Sequence, residues 1–306
     1  MLATPGPLPT GPEWVYEVLW DGMRLLAEVT DGELRLRTRG GRDVTATFPE
    51  LAGLTGIAPD LVLDGEVVLL QDGVPSFGAL AERMHAPGNV AVAAHARPVT
   101  FMVFDVLRLY GVPLLERPFE ERRATLERLD TESVPALALS PLYTDGPALL
   151  DATLRRGMEG IVAKQRSGEY RAGARSGNWV KVGLRHTQTC LVGGFRAEGR
   201  GGRIGALLLG VPEAGALGYA GPVVAGLEVA SVQRVLGELL ADLGRDTPPF
   251  AERPPRTDAA GVRWCEPVVA VEVTHQGWTA AGRLRQPAVR GVRADIDPAD
   301  VRREPG

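Results

Sequence analysis

The chain has 306 residues, a formal net charge of −4 and 44% hydrophobic residues. This length and apolar content suffice for one large or two modest domains with real cores. The acidic balance does not indicate a nucleic-acid binder, and no run of about 18 apolar residues indicates a membrane span.

The N-terminal residues and the cysteines bear on the compartment. Residues 1–12 contain neither a basic nor an apolar segment of a secretory signal, so we expect a cytoplasmic protein. Cys190 and Cys265 are too few for a disulfide framework. Both stand in apolar, strand-like runs, which predicts buried structural thiols.

Residues 15–29 predict two strands joined by a tight turn at Asp21-Gly22. Such a turn holds Leu19 near the mouth of a pocket, with Glu17 and Arg24 close to it. The rest of the chain is therefore interpreted around this stretch.

A hairpin is predicted next, with its turn at Thr30-Asp31-Gly32. Arg35, Arg37 and Arg39 alternate along one face of its second strand. By pattern alone this is a solvated edge strand protected by charge.

The middle of the chain alternates strands and helices. Residues 61–69 predict a strand interrupted at Asp64-Gly65, and residues 98–109 predict another. Ser76 is expected to cap a helix that spans residues 77–84. Two further helices are predicted over residues 117–129 and 147–157.

The pattern changes around residues 184–188. Short strands with glycine-rich turns follow, at residues 190–195, 204–209 and 217–220, then a helix at 230–243 and a strand region at 262–274. This order predicts a five-stranded OB-fold β-barrel. We therefore expect two domains, 1–186 and 187–306.

Six ordered elements, together with a matching tail, resemble the ATP-dependent DNA ligase family, in particular the small bacterial ligases and the ligase domain of the bacterial end-joining enzyme. The resemblance implies an α+β fold, with a nucleotidyltransferase (adenylation) domain followed by the OB-fold domain. The elements are Glu17 to Arg24, Thr38-Arg39-Gly40-Gly41, Asp64-Gly65-Glu66, Phe104-Asp105, Glu159 to Lys164 and Trp179 to Gly183, and the tail is Trp278 to Pro287 with Arg293 to Ile296.

The resemblance also implies roles for individual residues. ATP or AMP, bound non-covalently, would contact seven side chains: Glu17 at the adenine amino group, Phe104 stacked on the base, Glu66 near the ribose, Lys181 at the α-phosphate, and Arg24, Lys164 and Arg293 elsewhere on the nucleotide. Glu159 would hold Mg²⁺ or Mn²⁺, with Glu66 as a second candidate. Arg39 would meet a DNA phosphate at the nick.

Three positions depart from the family pattern. Leu19 stands where the family has the lysine that attacks ATP, and Gly183 and Ile296 also replace lysines. Leucine has no lone pair with which to bond to phosphorus. All three changes fall on the activation of ATP.

Three functions remain open at this point. The first is a ligase-fold protein that binds nucleotide and nicked DNA but is defective in lysyl-AMP formation. The second is an active ligase that uses another lysine, for which Lys164 and Lys181 are the candidates. The third seals nicks that already carry AMP. Expected partners are nicked or broken double-stranded DNA and end-joining proteins, contacted by a monomer in the nucleoid, without a membrane.

Overall fold

Two compact units make up the chain in this computed structural model, Met1–Leu184 and Arg185–Gly306. The structure describes residues 1–85, 89–183, 186–198 and 202–304. The boundary expected at residue 186 adjoins residues 184 and 185, which lie outside the described part, so it stays a prediction. None of the helices in the described ranges is both long and apolar enough to cross a membrane.

The first unit combines strands with short helices. Its strands are β1 (Leu2–Pro5), β2 (Trp14–Val18), β3 (Met23–Thr30), β4 (Glu33–Thr38), β5 (Asp60–Val68), β6 (Leu70–Gln71), β7 (Val74–Pro75), β8 (Thr100–Leu109), β9 (Val112–Pro113), β10 (Leu137–Leu139), β11 (Gly160–Gln165) and β12 (Arg175–Gly183). Its α-helices are α1 (Phe77–Met84), α2 (Val90–Ala96), α3 (Phe119–Leu126) and α4 (Gly146–Arg155).

Two sheets of the first unit face each other. Sheet A has the order β1-β12-β11-β2, and sheet B has the order β10-β8-β5-β3-β4 with β9 beside β8. Val62 and Phe104 of sheet B meet Val162 and Trp179 of sheet A in one apolar cluster. We call the space between the sheets the cleft.

The other face of sheet B carries the main core of the unit. Leu25 and Leu63 pack there with Leu80 of α1, Leu126 of α3 and the 3-10 helix Pro49–Gly56. Burial of these side chains anchors sheet B, because each fully buried leucine contributes about 1.5–3 kcal/mol. Sheet B is therefore a rigid wall of the cleft.

The Asp21-Gly22 turn carries the chain from sheet A to sheet B. A Cβ atom on Gly22 would lie 2.1 Å from the carbonyl oxygen of Val67, so the crossing requires glycine. Asp21 accepts a hydrogen bond from the backbone N–H of Phe77 at 3.1 Å, which ties the turn to α1. Leu19 and Arg24, on either side of this turn, consequently approach the cleft from opposite walls.

The second unit is a curved sheet around its own core. Its elements are β13 (His186–Glu198), β14 (Arg203–Glu213), β15 (Ala216–Val223), α5 (Ala230–Leu240), β16 (Gly244–Arg245), α6 (Arg256–Ala259), β17 (Val262–Cys265), β18 (Ala270–His275) and β19 (Ala288–Val292). Strand β13 pairs with β14, β17 and β18, and a bridge between Ala225 and Ala288 links the segment after β15 to β19. The sheet thus closes into a barrel around residues such as Leu209 and Val271, with Leu236 of α5 packed against them.

Ser76 caps α1, where its hydroxyl accepts from the N–H of Ala79 at 3.2 Å, as predicted. The interruption predicted at Asp64-Gly65 is wrong, because β5 runs through it and absorbs it as a register shift against β8. The single strand region predicted over 262–274 is two strands. Helix α2 was missed because its apolar sequence has no helical periodicity.

Candidate active site

Strand alternation decides which side chains of β2 face the cleft. Tyr16 and Val18 pack into an apolar cluster on the far face of sheet A. Successive side chains of a strand point to opposite faces, so Glu17 and Leu19 point toward the cleft. Leu19 is half-buried there.

Leu19, Gly160 and Gly183 lie side by side on neighbouring strands of sheet A. The N–H of Leu19 donates to the carbonyl oxygen of Gly160 at 3.0 Å. Gly160 in turn is paired with Gly183 in the β11–β12 register. We call these three residues the leucine row. Its side chains are one hydrocarbon and two hydrogens, so none of them can attack phosphorus.

Lys164 fills the part of the cleft that was predicted to receive adenine. Its ammonium donates to Glu17 Oε1 at 2.7 Å and to the carbonyl oxygen of Phe104 at 3.3 Å. The same Nζ atom lies 4.4 Å from the ring centroids of Phe104 and Trp179. Burial raises the pKa of Glu17 and lowers the pKa of Lys164, while their ion pair opposes both changes. The carboxylate expected at the adenine amino group is therefore occupied by Lys164.

Arg24 is a fixed cation on the opposite wall. Its Nε and Nη2 donate to the two carboxylate oxygens of Asp64, at 2.9 and 2.6 Å. Tyr170 donates its hydroxyl to the same carboxylate at 2.7 Å. Burial alone would lower the pKa of Arg24, but Asp64 raises it above its usual value. The guanidinium also lies 5.4 Å from the ring centroid of Phe104.

A second buried pair lies next to Tyr170. Asp105 and Arg122 are both completely buried and are joined by two hydrogen bonds of 2.8 Å. Asp64, Tyr170 and this pair were missed as site residues by the sequence analysis. A charged residue inside an apolar strand requires a partner, and that was the available signal for Asp64 and Asp105.

The predicted phosphate and metal residues meet at one edge of the leucine row. Lys181 Nζ lies 3.8 Å from Glu159 Oε2, and both side chains are partly buried. Glu66 is half-buried and stands opposite Arg24 in the β3–β5 register. Within the described residues no group of three or more His, Cys, Asp or Glu side chains forms a metal cluster. Mg²⁺ is commonly held by one or two carboxylates together with substrate phosphates, so Glu159 fits a metal shared with phosphate.

The arginines of β4 lie on the same face of sheet B as Arg24. Leu36 is buried in the core, so Arg35 and Arg37 point the other way. Arg37 stands opposite Leu26 in the β3–β4 pair. Leu26 and Arg24 are two residues apart on β3, so Arg37 lies on the same face of the sheet as both. Arg39 follows the strand and is exposed. Residues 42–44 pair back onto the outer edge of β4 through the Arg37–Asp43 bridge, and Arg35 and Arg39 of this arginine strip are exposed on the face of the sheet.

Arg293 lies in the second unit. It donates two hydrogen bonds to Asp295, at 2.7 and 2.6 Å, and one to Glu272 at 2.9 Å. Ile296 packs against the barrel core. The charge of Arg293 is thus offset by two local carboxylates.

Comparison with known families defines the class of protein. A family model described as "ATP dependent DNA ligase domain" matches residues 8–182, and one described as "ATP dependent DNA ligase C terminal region" matches residues 200–296. A solved structure of mycobacterial DNA ligase D complexed with ATP and MES is 38% identical, with a TM-score of 0.70, and covers 99% of this chain and 97% of that one. The predicted α+β adenylation domain followed by an OB-fold domain is confirmed.

Comparison with curated proteins shows which family the chain belongs to. The multifunctional non-homologous end joining DNA repair protein LigD of Mycobacterium tuberculosis is 40% identical over 99% of this chain. LigD of Pseudomonas aeruginosa is 34% identical over 96% of the chain. This chain belongs to the ATP-dependent DNA ligase family. It spans 39% and 35% of the length of these two relatives, which are longer proteins.

Proposed function

We propose that this chain is a DNA ligase domain of end joining that has lost lysyl-AMP formation and keeps nucleotide and nicked-DNA binding. The observation that carries the proposal is the leucine row, which faces the cleft without a nucleophile. The family resemblance expects lysines at positions 19 and 183 of this row. Covalent catalysis on phosphorus needs an amine that can lose its proton, and leucine offers none.

The two lysines of the chain do not substitute for the missing amine. Gly160 stands beside Leu19, and Lys164 lies four residues further along β11. At the usual rise of a strand, the backbone of Lys164 is therefore about 13 Å from that of Gly160. Lys181 lies on β12, and the two strand spacings that separate β12 from β2 add up to about 10 Å. Attack requires an approach of about 3–3.5 Å. An active ligase that uses another lysine is therefore the weaker alternative.

A bound nucleotide would contact the charged and aromatic side chains that the cleft still has. Arg24 and Lys181 present positive charge from opposite walls, and Glu159 can share a Mg²⁺ or Mn²⁺ ion with phosphate oxygens, whose charge the metal would offset. Adenine reaches Glu17 and Phe104 after Lys164 releases that carboxylate. The arginine strip of β4, with Arg39 at its end, supplies cations for the DNA backbone.

Sealing of pre-adenylylated nicks is a second candidate. In that step the 3′-hydroxyl oxygen bonds to the 5′-phosphorus, the bond from phosphorus to AMP breaks, and AMP leaves. No protein nucleophile takes part. The support for this candidate is that Lys181 and Arg24 face the cleft from its two walls, where they would hold the phosphates.

The test combines three measurements on the purified chain. With ATP labelled at the α-phosphate and Mg²⁺, we expect no AMP that stays covalently bound to the denatured protein, and label on any residue would overturn the proposal. Nicked duplex DNA should bind more tightly than intact duplex, and equal affinity would contradict the retained nick recognition. A pre-adenylylated nick with Mg²⁺ and no ATP tests the second candidate, since sealing at excess protein would establish it.

A further inference from the structure

A cavity of about 240 Å³ opens on the second unit, and its lining includes three residues of the tail (Trp278, Ala281 and Gly282) but none with a role assigned in the cleft. It lies where β14 and β15 join, between that hairpin and the turn after β18. Small residues form much of its wall, so no large side chain fills it. They are Ala216, Gly218, Ala220, Ala251, Ala281 and Gly282.

Apart from Arg303, the polar lining of the cavity is acidic and aromatic. Glu213 and Glu252 supply two carboxylates, and Trp278 and Tyr219 supply two rings. Carboxylates paired with aromatic faces form the environment that a guanidinium prefers, since its planar cation stacks on rings and its N–H groups donate to oxygen. The same carboxylates repel phosphate, so the DNA backbone is a poor occupant.

The chain itself already places arginines on both rings. Arg303 lies with its Cζ atom 4.2 Å from the ring centroid of Trp278, and its Nη1 is 3.7 Å from Glu213. Arg283 lies 5.3 Å from the ring centroid of Tyr219. The structure therefore contains two examples of the recognition that this lining favours.

The contact made by Arg303 is easily displaced. Its side chain is 39% exposed and that of Glu213 is 64% exposed. An ion pair this long and this open to solvent is screened and contributes little. The free volume beside Arg303 leaves room for the methylene stem of a second arginine over the alanine wall.

We propose that this cavity receives an arginine side chain from an extended segment of a partner protein, and that Arg303 is its intramolecular substitute. An incoming guanidinium takes the face of Trp278 and the carboxylates of Glu213 and Glu252 in exchange for Arg303. A tethered group competes at an effective concentration of the order of millimolar. Arg303 therefore sets the affinity and concentration that a partner's arginine needs in order to displace it. The proposal does not depend on the catalytic state of the cleft.

The experiment follows the indole N–H signal of Trp278 by NMR during titration with acetyl-Gly-Arg-Gly-amide. The R303A variant should bind the peptide at least fivefold more tightly than the unchanged chain. Acetyl-Gly-Lys-Gly-amide should bind at least fivefold more weakly than the arginine peptide, because an ammonium has no planar face to lie flat on a ring and no fork of donors for a carboxylate. The E213Q/E252Q variant changes only exposed side chains and should lose the binding. R234A, on the exposed face of α5, is the matched control and should behave as the unchanged chain.

Three outcomes would overturn the proposal. One is the absence of a saturable shift in R303A, and another is equal binding of the lysine and arginine peptides. The third is a shift caused by oligo-dT that survives in E213Q/E252Q, which would assign the cavity to an unpaired base instead.

Discussion

The backbone N–H of Leu19 and the carbonyl oxygen of Gly160 are joined by a 3.0 Å hydrogen bond, one residue beyond the end of β2. This bond extends the β2–β11 ladder and fixes the direction of the side chain at position 19. It does not involve that side chain. A substitution at position 19 therefore changes the chemistry of the cleft while the backbone stays in place.

L19K should restore a measurable amount of AMP bound covalently to the denatured protein, because it places an amine on the cleft face. L19R is the matched control, since a guanidinium of similar length stays protonated and is not a nucleophile. L19K/G183K should label roughly 100-fold faster than L19K if position 183 supplies a transition-state donor. Equal labelling of L19K and L19R would contradict the assignment of position 19, and so would labelling of the unchanged chain.

Arg39 is expected to contact a DNA phosphate through the exposed end of the arginine strip. R39A should weaken binding to nicked duplex DNA and should reduce the slope of log K against log salt by about 0.9, the loss of one phosphate contact. R128A is the control, because Arg128 is exposed at the end of α3 and donates to the carbonyl oxygen of Ala124. An unchanged slope in R39A, or an equal change in R128A, would remove Arg39 from the DNA-binding surface.

The Asp105–Arg122 pair should dominate the electrostatic stability of the first unit. R122M leaves Asp105 buried without its partner, which typically costs about 3–5 kcal/mol in the free energy of unfolding. R245M is the matched control, since Arg245 pairs with Glu266 at the surface and such pairs contribute about 0–1 kcal/mol. Urea unfolding curves measure both. The double variant R122M/D105L should recover part of the loss, because it removes both charges together.

Sequence reasoning located most of the longer strands, because alternation and turn signals are local, but it did not predict β1, β10 or β19. It placed Glu17 and Phe104 in one pocket through the family resemblance alone. It could not show that Lys164 occupies that pocket, since the contact joins residues 147 positions apart on different strands. It also interpreted Asp64 as part of a turn, whereas that carboxylate lies inside β5 and holds Arg24. Partners of buried charges are set by strand order, which local patterns do not encode.

The two cysteines should be inert in the folded chain. Burial raises the pKa of Cys265 to about 12 and, with Glu272 adding to it, raises that of Cys190 well above its usual value. A thiol reagent at pH 8 should therefore react with neither until the chain is unfolded in denaturant. Fast reaction of the native chain would contradict this burial.

The same shift has a pH dependence with a definite sign. A thiol whose pKa is higher in the folded state stabilises the fold below about pH 9, and the contribution is lost as the pH rises toward 12. The free energy of unfolding should fall over this range. The free energy of unfolding of C265A should fall less steeply with pH than that of the unchanged chain. An identical slope in the two would show that Cys265 does not contribute.

Tyr110 occupies a backbone conformation that suits asparagine better than tyrosine. It has φ +50° and is followed by Gly111 with φ +77°, the same left-handed pair that Asp31 and Gly32 form at the β3–β4 turn. The residue is 65% exposed, so it gains little from packing. Non-glycine residues other than Asn and Asp pay about 1–2 kcal/mol in this region.

Y110N should accordingly raise the free energy of unfolding of the first unit by about 1 kcal/mol. The backbone N–H of residue 110 keeps its 2.8 Å hydrogen bond to the carbonyl oxygen of Asp60, so the turn itself is preserved. Y143N is the matched control, because Tyr143 is also exposed but has no left-handed backbone to relieve. If the dependence of the free energy of unfolding on urea concentration keeps its slope, the shift in the urea midpoint measures the change in stability of each variant. Stabilisation of both variants would attribute the effect to the loss of exposed aromatic surface, and stabilisation of neither would show that the turn is unstrained.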